Sequence, residues 1–233
     1  MKKSNKKIII SIFIFFIIIL LSISIIMAIN TNNENTNINK EKLYFEIKYI
    51  DSEIIYMSNL LNRNSNWQGL QKSIQRLYSY WNSAILDLNN LDIEKKHLTD
   101  FGKILDNLTV SIINQDRQVS LNNLIELYTR VIAYNENLNY DENYNNILLA
   151  KHKLLSAYSI AEQGNWTLMH EDIIECGNYL SNVVNSMDNN QYNQYNINQA
   201  YIAVKELENL INVKDFYLFY FKYNIAMNKM QNI

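Results

Sequence analysis

The stretch "NWQGLQKSIQRLYSYWNSAILDL", residues 66–88, decides the fold class of this chain. Its apolar residues recur at intervals of three and four positions, the spacing that places side chains on one face of a helix. Asn66 precedes the first of them, and an Asn side chain at that position accepts hydrogen bonds from the free amides of the first turn. The stretch therefore predicts an amphipathic helix of about six turns, with the core stripe Trp67, Leu70, Ile74, Leu77, Trp81, Ala84 and Leu88.

Three more stripes with the same spacing flank this one. The stripe before it is Leu43, Ile47, Ile50, Ile54, Met57 and Leu61. The two stripes after it are Leu98, Phe101, Leu105, Leu108 and Ile112, and then Leu121, Leu124, Tyr128 and Val131. Residues 43–138 are therefore expected to form four helices joined by short polar turns.

A second copy of this arrangement follows further along the chain. A shift of 99 positions carries the last three stripes onto Trp166, Met169, Ile173, Cys176, Leu180, Val183 and Met187, onto Ile197, Ala200, Val204, Leu207 and Ile211, and onto Tyr220, Tyr223, Met227 and Met230. A shift of 100 carries the first stripe onto Ile147, Ala150, Leu154, Ala157 and Ala161. Repeated spacing of this kind indicates a duplicated unit. The sequence thus predicts two tandem four-helix units, residues 43–138 and 139–233, each an antiparallel helical bundle.

The composition favours the same all-α class. The chain has 233 residues, of which 48% are hydrophobic and 19% are charged, so it can bury a substantial core. It contains no proline and only four glycines, and these residues normally punctuate turns and β-rich folds. Cys176 is the only cysteine, so no disulfide can form within the chain and stability must come from packing.

The N-terminal region predicts a membrane anchor. Residues 8–29 are apolar apart from three serines and would form a helix of roughly 33 Å, which is enough to cross a bilayer. Four lysines in residues 1–7 predict a cytoplasmic tail, with everything after the anchor outside. Residues 30–42 are polar and suit a short stalk. A cleaved signal peptide is the alternative, although no small-x-small cleavage site is evident.

The net charge argues against polyanionic partners. Without the four N-terminal lysines, the chain has 17 basic and 23 acidic residues, a net charge of −6. A surface of this sign is a poor match for the phosphates of nucleic acid or anionic lipid headgroups. The expected partners are therefore the bilayer around residues 8–29 and other proteins.

The paired Asn-Trp motifs are interpreted as scaffold. Trp67 and Trp166 both fall on core stripes, where an indole ring buries on the order of 150 to 250 Å². A ligand-stacking platform would instead need these rings on an exposed helix face.

The run from "NWQGLQKSIQRLYSYWN" to "LNNLIELYTRVI" resembles an uncharacterised family of short, single-anchor helical proteins from Gram-positive spore-forming bacteria. Residues 60–132 carry the resemblance, through Trp67, Trp81, Asp92, Asp116, Glu126 and Leu127. The segment "LDIEKKH" departs from that pattern, because His97 comes late. The resemblance implies a location and an architecture, but no activity.

The sequence contains no constellation of catalytic or metal-binding groups that would support an enzyme. The three histidines, His97, His152 and His170, belong to no metal-binding motif. The local cluster "HEDIIE", residues 170–175, is interpreted as a solvated acidic face near a helix N-terminus, with metal binding as the alternative. Met169 and His170 lie about 100° apart on one helix and so do not form a haem ligand pair. No cofactor is expected.

The last helix, "DFYLFYFKYNIAMNKM", carries the candidate interaction surface. Its core stripe already uses Tyr220, Tyr223, Met227 and Met230, which leaves four aromatic residues, Phe216, Tyr217, Phe219 and Phe221, to point elsewhere. A helix that is apolar nearly all round must be covered on more than one side. Packing between the two units, a homodimer contact and a partner contact are the open alternatives.

These observations predict a membrane-anchored, extracytoplasmic, non-enzymatic interaction or structural module of the bacterial cell envelope. The alternative is a small-molecule sensor or binding domain of the helical-bundle type.

Overall fold

The computed structural model describes residues 39–62, 66–91, 93–186 and 194–233, with only the backbone at position 211. The predicted tail, the predicted anchor at 8–29 and most of the predicted stalk lie outside these residues, as do Asp92 and Met187. Among the helices described, none combines the length and the apolar character needed to cross a membrane. Residues 39–233 form one compact unit.

The described ranges contain eight α-helices and no strand, so the predicted all-α class is confirmed. The first four helices are α1 (Lys40–Asn62), α2 (Trp67–Leu88), α3 (Lys95–Ile113) and α4 (Arg117–Leu138). The last four are α5 (Glu142–Glu162), α6 (Trp166–Ser186), α7 (Gln194–Glu208) and α8 (Phe216–Gln231), with a 3₁₀ turn at Asn209–Asn212.

Short polar side chains set where the helices begin. Asn39 Oδ1 accepts a hydrogen bond from the Lys42 amide at 3.0 Å, and α1 therefore begins inside the predicted stalk of residues 30–42. Asn66 Oδ1 accepts from the Gly69 amide at 2.9 Å, which confirms the predicted cap of α2.

The helices pack in two rings of four. In the N-terminal half (α1–α4), α1 and α3 each contact α2 and α4. In the C-terminal half (α5–α8), α5 and α7 each contact α6 and α8. Short connections make successive helices antiparallel, as in other up-and-down bundles. Contacts between α4 and α5 join the two halves.

The predicted stripes form the cores of these rings. Every stripe residue with a described side chain is buried except Trp67, Trp166 and Tyr220, which are half-buried. The prediction that both Asn-Trp tryptophans are core residues is therefore only partly correct, because a first-turn residue is not covered by neighbours on every side. Trp81, in the middle of α2, is 4% exposed and stacks on Phe101 with ring centroids 4.1 Å apart.

Two helices, α1 and α5, are buried on a second side as well. Besides its predicted stripe, α1 buries Glu46 and Glu53, which bond to α2, and on a second side Tyr44, Asp51, Ile55 and Ser58. Besides its own stripe, α5 buries Tyr144, Leu148, Lys151, Leu155, Tyr158 and Ser159. A helix buried on two sides lies in the interior of a protein. The second sides of α1 and α5 meet at the boundary between the halves.

Candidate functional site

A buried charged cluster lies where α1, α4 and α5 meet. Asp51 is 1% exposed, and Lys151 is 4% exposed. Lys151 Nζ donates a hydrogen bond to Asp51 Oδ2 at 2.8 Å, and Tyr144 Oη donates to the same oxygen at 3.0 Å. Tyr128 Oη donates to Asp51 Oδ1. The carboxylate thus accepts hydrogen bonds from one cation and two hydroxyls, which are the partners that a buried charge requires.

Burial controls protonation around this carboxylate. It raises the pKa of Tyr128 and Tyr144 well above the usual tyrosine value, and the negative charge of Asp51 raises both further. Burial also lowers the pKa of the neighbouring Lys48, and the positive charge of Lys151 adds to this effect. The two hydroxyls therefore stay protonated at neutral pH and act as fixed donors. The arrangement joins α1, α4 and α5, and it neutralises a carboxylate that would otherwise be buried without a partner.

Asp51 and Lys151 are not among the site residues that the sequence predicts. Apolar periodicity indicates only the apolar residues of a buried helix face. It therefore does not identify charged residues that are buried on that face. One signal was available, because tyrosines stand seven residues before each of them, at Tyr44 and Tyr144. That spacing is two helical turns and places each pair on one helix face.

The structure separates the four predicted surface residues of α8. Tyr217 is 84% exposed and Phe221 is 60% exposed, whereas Phe216 is half-buried. The prediction for Phe219 was wrong, because this side chain is fully buried. It packs against the Trp166 ring, with centroids 6.3 Å apart, and so belongs to the contact between α6 and α8.

Two further apolar residues extend the exposed part of α8. Leu218 is 37% exposed and Ile225 is 36% exposed. With Phe221 they occur at intervals of three and four residues, which places them on one side of the helix. We call the set of Tyr217, Leu218, Phe221 and Ile225 the α8 face.

The histidines lie on three different helices and have separate neighbours. His97 Nδ1 is 3.0 Å from Arg130 on α4, and His152 Nε2 is 3.1 Å from Thr129 Oγ1 on the same helix. His170 lies near the start of α6 and is half-buried. Within the described part of the chain, no three His, Cys, Asp or Glu side chains are grouped so that they could hold a metal ion.

Two acidic residues of the "HEDIIE" cluster, Asp172 and Glu175, share a structural partner. Lys153 Nζ lies 3.0 Å from Asp172 Oδ1 and 2.7 Å from Glu175 Oε2. These ion pairs tie α6 to α5. Cys176 is fully buried, as predicted for a small core residue, and burial raises the pKa of its thiol far above the usual value.

A groove of about 680 Å³ opens beside the α4–α5 turn. It is lined by Tyr140, Asp141, Glu142, Asn143, Asn146, Asn182 and Ser186. Small-molecule sites are usually apolar concavities with a few polar groups, and this lining is mostly polar. The groove therefore gives the small-molecule alternative no specific support.

The fold defines this chain as an all-α helical-bundle protein. Comparison with protein-family models, with curated proteins and with solved structures gave no match. The resemblance carried by residues 60–132 therefore stays a prediction.

Proposed function

We propose that this chain is a membrane-anchored helical-bundle protein that binds a protein partner through the α8 face and catalyses no reaction. In this proposal residues 8–29 form the anchor, residues 1–7 are cytoplasmic and the bundle lies outside the cell membrane. The observation that carries the proposal is the row of exposed apolar side chains on α8. Contiguous apolar surface of this kind commonly marks an interaction site.

The corresponding helix of the N-terminal half supports a specific role for this row. A shift of 99 positions relates Phe221 and Ile225 of α8 to Asn122 and Glu126 of α4. Both α4 residues are polar and exposed. These two bundle positions thus tolerate polar residues, so packing within the bundle does not require Phe221 and Ile225.

Photo-crosslinking in cells tests the partner. The full-length protein carries a benzophenone amino acid at Phe221 or, as the matched control, at Asn122. We expect one discrete crosslinked product from position 221 and none from position 122. A product of twice the chain mass would identify a second copy as the partner, and another mass would identify a different protein. Crosslinking at neither position, or identical products from both, would refute the proposed surface.

The membrane orientation is tested separately, by thiol labelling. Cys176 is buried and should not react in the folded protein, so an Asn33→Cys variant has a single reactive thiol. We expect a membrane-impermeant maleimide to label this variant on intact cells. The wild-type chain is the control, since it should be labelled only after denaturation. Labelling of the variant that requires cell lysis would contradict the proposed orientation.

A further inference from the structure

The second buried stripes of α1 and α5 have the same spacing. The α1 stripe contains Tyr44, Asp51, Ile55 and Ser58, and the α5 stripe contains Tyr144, Lys151, Leu155 and Tyr158. Each α5 residue lies 100 positions after its α1 counterpart, which is the same shift that relates the first stripes of these two helices.

Corresponding residues contact each other where the two stripes meet. The rings of Tyr44 and Tyr144 have centroids 5.1 Å apart, and Lys151 Nζ lies 2.8 Å from Asp51 Oδ2. Contact between equivalent positions at two levels is the geometry of an isologous interface, in which the same surface patch of two subunits meets itself. The two halves are thus related as the subunits of a symmetric dimer, with a pseudo-twofold axis between α1 and α5.

One contact on each flank follows the same pattern. At one side of the axis, Arg117 of α4 forms a bidentate ion pair with Glu162 at the end of α5. At the other side, the Tyr220 hydroxyl of α8 lies 3.5 Å from the Asn62 carbonyl oxygen at the end of α1. In each contact, the start of the fourth helix of one half touches the end of the first helix of the other half.

On a true twofold axis, a residue faces its own copy. Pairing of two N-terminal halves would therefore place Asp51 against a second Asp51 in the interior. Pairing of two C-terminal halves would place Lys151 against a second Lys151. Both arrangements bury two like charges face to face, which is unfavourable. The native pairing of unlike halves is the one in which these two charges neutralise each other.

We propose that Asp51 and Lys151 are the specificity determinants of this internal interface, and that they make each half pair with the unlike half and not with a like half of another chain. The two stripes carry mostly aromatic and apolar side chains around them, and apolar contacts alone discriminate poorly between partners that have the same shape. Opposite charges on an axis discriminate by penalising the wrong pairs. In the membrane-anchored protein proposed above, the local concentration of chains is high. The charge pair then keeps the two halves of one chain together.

Charge reversal in the full-length chain is the first test. We expect Asp51→Lys and Lys151→Asp each to lower the thermal midpoint, and the double variant to recover more than half of the combined loss. If the single variants do not fold, we expect the double variant nevertheless to be soluble and helical. A double variant that is as unstable as the sum of the single changes would refute the proposal.

Selectivity is tested in chains cleaved at a protease site inserted in the α4–α5 turn, after Asn139. Two batches with different C-terminal tags are cleaved, mixed in mild urea to let the halves exchange, and diluted. Co-purification of the two tags measures like-half association. Residues 1–38 are identical in every protein compared. Any association through them therefore adds the same amount of co-purification in each.

We expect cleaved Asp51→Leu/Lys151→Leu protein to show about tenfold more co-purification of the two tags than the cleaved wild type, a ratio that corresponds to about 1.4 kcal/mol. The control is Glu53→Gln/Arg76→Gln, which removes an ion pair of 2.7 Å that lies within the N-terminal half. This variant should behave as wild type. Equal co-purification in the Leu/Leu variant and the wild type would overturn the assignment.

Discussion

Asp51 accepts a 2.8 Å hydrogen bond from Lys151, which lies 100 residues further along the chain and occupies the equivalent position of the second half. Neither residue belongs to an apolar stripe, and both are buried. The contact joins α1 of one four-helix ring to α5 of the other. Its energetic role can be measured by removing one charge at a time.

Lys151→Ala should be strongly destabilising. It leaves the Asp51 carboxylate buried without a cation, and breaking a buried pair in this way typically costs about 3 to 5 kcal/mol of unfolding free energy. Lys103→Ala is the control, because this lysine is 70% exposed and pairs with Asp100 on its own helix, where exposed pairs contribute about 0 to 1 kcal/mol. Urea denaturation followed by circular dichroism measures both. Similar losses in the two variants would contradict a special role for the buried pair.

The tryptophans should differ in their contribution to stability. Trp81→Ala removes a ring that is 4% exposed and stacked on Phe101, so we expect a loss of about 3 to 5 kcal/mol. Trp67→Ala and Trp166→Ala should each cost less than half as much, since these rings are only half-buried. Chemical denaturation of the three variants checks this order, which an equal loss in all three would overturn.

Two phenylalanines of α8 provide a matched pair. Phe219→Glu places an unpaired carboxylate in a fully buried site, and the protein should unfold or lose several kcal/mol. Phe221→Glu changes a side chain that is 60% exposed, and surface changes usually stay within about 0.5 kcal/mol. Thermal melts distinguish the two. A stable Phe219→Glu protein would mean that this ring is not part of the core.

Stability should fall in alkaline solution. Burial raises the pKa of Tyr44, Tyr128, Tyr144, Tyr158 and Tyr223, so the folded chain keeps protons that the unfolded chain loses above its tyrosine pKa of about 10. Unfolding then releases protons, and the free energy of unfolding decreases as pH rises. The contribution is fully present below pH 10 and is lost progressively above it. Thermal midpoints between about pH 8 and 12 measure this effect, and a constant midpoint would contradict it.

The single thiol should be inert in the folded protein. Cys176 is completely buried in the core of the C-terminal half, and burial raises the pKa of its thiol, so the reactive thiolate is scarce and inaccessible. Ellman's reagent should therefore react at the rate of unfolding and immediately in urea. Rapid reaction of the native protein would show that α6 opens locally.

The sequence by itself determined the helices and most of the core. Stripes such as Leu70 to Leu88 on α2 could be predicted because helical periodicity is a local property, set by 3.6 residues per turn. Helix starts such as Asn66 were predictable for the same reason, since a cap bonds to amides only two or three residues away.

Tertiary structure alone decided which helices are buried on two sides and which residues contact each other across the two halves. Lys151 and Asp51 are ordinary surface residues by composition, and only the approach of α5 to α1 makes them interior partners. Phe219 and Phe221 stand two positions apart in one aromatic run, yet the position of α6 buries the first and leaves the second exposed. Burial depends on chain segments that are distant in sequence, and no local pattern contains that information.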